Sequence, residues 1–205
     1  MISEVERWPA YLNGIRNELQ LLYKGKTIYE GIAGIVQSNK TIQKPSYFHR
    51  WVINNHGIAL AMGLRRHSDE DNRSRSLLNL LKSMRCNVRH IPLENAREFI
   101  AFKTLRDNQI PGELERMLDA DILKLRDAMK PIRKFVNKRI AHTSVEGKWS
   151  SPEIKTLHQM LNDMDKIVCR CSILLEGSEN SIEVSIQDDW QSIFKRPWIE
   201  PEADC

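Results

Sequence analysis

The chain has no long apolar run. Its longest stretch without a charge at its heart, Gly57 to Leu64, falls far short of the roughly 18–20 residues that cross a bilayer, and the mean hydropathy of −0.47 agrees. The amino terminus, Met1-Ile2-Ser3-Glu4-Val5-Glu6-Arg7, lacks the basic-then-apolar order of a signal peptide, so a cytoplasmic protein with no membrane partner is expected. Cysteine is scarce. Cys86, Cys169, Cys171 and Cys205 include no C-x-x-C pair, and reduced thiols are expected. Nine glycines and eight prolines in 205 residues are too few for a low-complexity chain. Neither a glycine-rich phosphate loop nor a nucleophile elbow is present. His67, His90 and His158 have no metal-set spacing, and Cys86 with His90 supplies only two ligands, so neither metal nor cofactor is expected.

What is present is a composition, 41% hydrophobic and 28% charged, that supports one domain with a real core. The net charge of +4 hides an uneven spread. Lys124, Arg126, Lys130, Arg133, Lys134, Lys138 and Arg139 crowd residues 124–142 against the single acid Asp127, whereas the chain from Thr143 onward is acidic. A basic block beside an acidic tail points to an anionic ligand such as nucleic acid, or to a basic helix masked by the protein's own acids.

Apolar spacing defines the elements. Trp8, Leu12, Ile15, Leu19 and Leu22 fall 4-3-4-3 apart and line one helix face, after a Ser3/Glu6 capping box; the pattern continues to Val36. A second stripe runs through Leu114, Leu118, Ile122, Leu125, Met129, Ile132, Val136 and Ile140, with Pro131 expected to kink or divide it. A third runs from Ile154 through Leu157, Leu161, Met164, Val168 and Cys171 to Leu175, framed by Ser151 as N-cap, Pro152 at the first helical position and Gly177 past the end. Shorter helices are expected over 46–67 (Phe48, Trp51, Val52, Ile58, Ala59 and Met62 apolar), 73–84 and 93–105. Residues 182–186 alternate like a strand, and the aromatic stretch 189–198 should pack back onto the body. The pattern predicts an all-α fold, an antiparallel bundle of five to six helices over 1–177, with an acidic, aromatic extension over 178–205.

The end of the basic helix reads Asn137-Lys-Arg-Ile-Ala-His142. This string resembles the motif of the HEPN superfamily (higher eukaryotes and prokaryotes nucleotide-binding), in particular its AbiU-like abortive-infection branch. Arg65-Arg-His-Ser-Asp69, followed by Ser76-Leu-Leu-Asn-Leu-Leu81, resembles that branch more weakly. The resemblance implies a homodimer whose motif helices meet, acting as a metal-independent endoribonuclease in a toxin–antitoxin or phage-defence setting, with an antitoxin or defence protein as partner. His142 matches the family's histidine and Asn137 its polar position, but Val136 occupies the place of its arginine.

Geometry singles out Arg139, about 60° from His142 on a helical wheel, as the guanidinium able to share a phosphate with it. His142 and Arg139 are therefore candidate catalytic residues; Asn137, about 140° from His142 on the same wheel, joins them only through the resemblance, and Lys138, Lys134, Arg133 and Lys130 are the candidate RNA contacts. The alternative is a catalytically degenerate dimer that holds RNA, a nucleotide or a protein without cleaving.

Overall fold

A computed structural model describes residues 4–44, 46–100, 105–137 and 152–195. Six α-helices lie among them: α1 (Trp8–Ser38), α2 (Tyr47–Arg66), α3 (Leu77–Cys86), α4 (Leu93–Phe99), α5 (Ile110–Phe135) and α6 (Ile154–Glu176). No strand occurs among the described residues, and no helix of theirs is long and apolar enough to cross a membrane. The fold is all-α.

The heptad-like stripes become the core. Trp8, Leu12, Ile15 and Leu19 of α1 are buried, as are Leu114, Leu118, Ile122, Leu125, Met129 and Ile132 of α5 and Leu157, Leu161, Met164, Val168 and Cys171 of α6. One apolar face per helix is the condition for packing such elements together. Accordingly α1 packs on α6 and α2, α3 on α5, and α4 on α6.

Several expectations are corrected. Pro131 does not divide α5, which runs unbroken to Phe135. Pro131 lies on the exposed face, where the carbonyl left without an N–H partner is open to water. The helix expected from Arg73 starts at Leu77, because Ser76 caps it by accepting from the Asn79 N–H at 3.1 Å. The preceding residues are instead held in a turn by Asp71, which accepts from the Arg73 and Ser74 N–H groups. Helix α4 ends at Phe99, short of Leu105. Arg106 is extended there, its N–H bonded to Gln109 Oε1. Helix α6 starts at Ile154 with Glu153 at the N-cap position; Ser151 lies outside the described residues. The predicted Gly177 stop is present, with φ of +66° and its N–H on Ile173 O, a left-handed turn that glycine adopts without steric cost.

Helix α2 is turned differently from its apolar pattern. Leu60, Ala61 and Leu64 are its buried residues, while Phe48, Trp51, Ile58 and Met62 are exposed. Two glycines set this orientation. A Cβ on Gly63 would stand 2.6 Å from Leu22 Cδ1, and one on Gly57 would stand 3.0 Å from Ile154 Cδ1. The face bearing the least side chain therefore approaches α1 and α6.

The segment after α6 is anchored rather than paired as a strand. Asp165 accepts from Ser181 Oγ at 3.0 Å and from the Ile182 N–H at 2.7 Å, and Ile182 is fully buried. Asp165 is thus a structural acceptor. Farther on, the Trp190 ring covers Gly31 of α1 so closely that a Cβ there would lie 2.6 Å from it.

Candidate nucleic-acid interface

The carboxyl end of α5 meets the carboxyl end of α2. Val136 follows the last turn of α5 and is 6% exposed, completing the core stripe. A guanidinium at that position would be buried in the apolar core. The next residue, Asn137, is exposed, and its Oδ1 accepts from Arg65 Nε at 3.1 Å. An arginine is therefore seated beside the motif's polar residue, but it arrives from α2, 72 positions away in sequence, and not from the preceding residue. Lys138, Arg139 and His142 lie outside the described residues.

Upstream, the basic face of α5 is engaged by acids. Arg126 and Arg133 are seven residues apart and share a face; both reach Glu70, at 3.0 and 3.3 Å. Lys82 of α3 joins them at 3.1 Å. Hydrogen bonds and charge from Lys82 and Arg126 hold the Glu70 carboxyl at about 2, well below the usual carboxylate range. Arg133 also donates to the Ser68 carbonyl. Lys130 Nζ sits 2.7 Å from Asp127 one turn earlier, and Lys134 is exposed in the last turn of α5. The structure thus brings Arg133 into a cluster of three cations around Glu70 and leaves Lys130 in a local pair of the kind that contributes little at a surface.

His67, the residue after α2, is 1% exposed and its Nδ1 has no hydrogen-bond partner. Burial, reinforced by the neighbouring Arg66 charge, pushes its pKa down to about 4, so the ring is neutral at pH 7. Its backbone carbonyl accepts from the Leu78 N–H at 3.1 Å, fastening the α2–α3 connection.

Sequence reasoning missed three groups. Arg65 was visible only within a weak resemblance, because its approach to Asn137 depends on how α2 packs. Glu70 carries no pattern at all. His56 pairs with His158 across 102 residues, and no local spacing announces that. Burial and then the His158 charge press His56 to about 4, and burial also lowers His158. Cys86, Cys169 and Cys171 are free thiols, and burial raises Cys171 to about 12, which leaves it an inert core residue. No group of three or more His, Cys, Asp or Glu suited to a metal ion occurs among the described residues.

Neither the curated proteins nor the solved structures contain a match to this chain. The family model HEPN_AbiU2, described as AbiU2, matches residues 7–193. That span takes in every helix above, the Arg65–Asn137 contact and the Asn137–His142 string, and by it the chain belongs to the AbiU2 family of HEPN proteins.

Proposed function

We propose that this HEPN protein is an abortive-infection effector that cleaves RNA without a metal. The ribose 2′-hydroxyl attacks the adjacent phosphorus, forming a 2′,3′-cyclic phosphate and releasing a 5′-hydroxyl. His142 moves the proton at neutral pH, and arginine stabilises the charge that builds on the phosphorane oxygens. The observation that carries this reading is the Arg65–Asn137 hydrogen bond of 3.1 Å. It supplies a guanidinium beside the motif although Val136 replaces the family's arginine, leaving Arg139 as a second cation close in sequence. A homodimer that places two such motifs in one cleft, with RNA bound by Lys138 and Lys134, is part of the same proposal. The purified protein should cut single-stranded RNA in EDTA, and His142→Ala should remove roughly two to four orders of magnitude of rate. Cleavage at the wild-type rate in that variant rejects the assignment.

A second reading, an RNA- or protein-binding scaffold without cleavage, draws support from Glu70. Its carboxylate occupies Lys82, Arg126 and Arg133 together, as in a structural basic cluster. Salt-sensitive RNA binding with no product under any condition selects this reading.

A further inference from the structure

A second cluster lies away from the motif, where α1, α2 and α6 converge. His56 and His158 face each other with their Nε2 atoms 2.9 Å apart. Tyr29 of α1 stacks on the His56 ring, with centroids 4.4 Å apart and planes 10° from parallel. The same Tyr29 meets His158 edge-on at 5.8 Å. On its far side, His158 Nδ1 lies 3.3 Å from Glu30 Oε1. A groove of about 550 Å³, lined by Lys26, Glu30, His158, Gln159 and Asn162 among others, opens beside His158.

The tautomers follow from these partners. The Glu30 carboxylate only accepts, so His158 carries its proton on Nδ1 and presents the Nε2 lone pair toward His56. In the hydrogen-bonded pair, His56 Nε2–H donates to that lone pair. Moving the His56 proton to its own Nδ1 leaves two imidazole lone pairs facing each other across 2.9 Å. Two nitrogens bound at ~2.05 Å to a tetrahedral zinc-class ion stand ~3.3 Å apart. The rings, with centroids 5.2 Å apart, point at each other nearly in line, so the pair must open by a few tenths of an ångström and each ring must turn by roughly 35° to aim at the ion. A carboxylate on the outer nitrogen of a ligating histidine is the arrangement that fixes the ring and its tautomer in metal sites. Glu30 also opposes the nearby Lys26, whose ammonium is itself tied to Asn162 Oδ1 at 3.1 Å.

We propose that His56 and His158 form a two-histidine site for a divalent zinc-class ion, bridging α2 and α6, with Glu30 as the positioning carboxylate and groove water filling the remaining coordination positions. Because the described residues add no third side-chain ligand of the usual kinds, the affinity belongs in the micromolar range, below that of a four-ligand structural site.

The test is calorimetric titration of the chelator-treated full chain with zinc chloride, alongside thermal melts. One ion per chain and a zinc-dependent rise in Tm are expected. His56→Ala and His158→Ala should each weaken binding at least about tenfold, and Glu30→Gln roughly 10–100-fold. His90→Ala, at an exposed histidine elsewhere, should leave it unchanged. Melts without zinc verify that each variant folds, and His56→Gln serves if the alanine form does not. Absence of saturable binding below about 1 mM, or binding that survives both histidine substitutions, overturns the site. Unchanged affinity in Glu30→Gln overturns the role given to Glu30.

Discussion

Arg65 Nε donates to Asn137 Oδ1 at 3.1 Å, joining the last turn of α2 to the first residue of the HEPN motif. The bond does more than close a surface gap. It fixes a guanidinium beside Asn137, whereas an arginine at position 136 would have to replace Val136 in the core.

Arg65→Ala should therefore lower RNA cleavage by about 10²-fold, in the range of a lost charge-stabilising donor. Tm should hardly move, because surface substitutions of this kind alter stability by no more than about 0.5 kcal/mol. Single-turnover cleavage rates beside a melting curve measure both. Equal loss of activity and fold would reduce Arg65 to a structural residue.

Glu70→Gln should free Lys82, Arg126 and Arg133 for an anion. RNA affinity is then expected to rise, with a log–log salt slope steeper by up to about two for three released cations. The same carboxyl shapes acid stability. It is held at about 2 against an ordinary 4.5, so its contribution is present above pH 4.5 and fades as pH falls toward 2. With the side chain 42% exposed, screening limits that contribution to about 1 kcal/mol. Urea melts at pH 6 and 3 (wild type against variant) read the difference.

His67 acts in a different window. Its folded pKa of about 4 lies below the ordinary 6.5, so the unfolded chain takes up the proton first. Stability is lost as pH drops from 6.5 to about 4 and levels off below, by up to roughly 3 kcal/mol for this one ring. His67→Gln should flatten that part of the stability–pH curve in denaturant titrations. An unaltered acid limb would mean that the ring protonates in the folded state.

Asp165→Ala removes the acceptor shared by Ser181 Oγ and the Ile182 N–H. Stranding that buried N–H should cost about 1–3 kcal/mol. It should also speed proteolytic cleavage within residues 178–189, as mass spectrometry of a brief digest would reveal. An unchanged digest would show that Ile182 and Trp190 hold the segment unaided.

The long helices were legible because each repeats its apolar residues every three or four positions and buries that side. Helix α2 was legible as a helix but not in its orientation. Phe48, Trp51, Ile58 and Met62 dominate any hydrophobic count, yet Gly57 and Gly63 decide which side can come close to α1 and α6. The start of α3 turned on one serine hydroxyl accepting from Asn79, a competition between turn and helix that propensity does not resolve. At the motif, sequence located Asn137 but not Arg65, because their contact belongs to the crossing of two helices rather than to either one.

The uninterrupted passage of α5 through Pro131 has a mechanical consequence. Its 26 residues make a rod of about 39 Å, with Glu70 gripping it at two levels and Asn137 at its tip. The Ile110 end and Asn137 therefore belong to one continuous element almost 40 Å long, and a shift of α5 along its axis would carry both together.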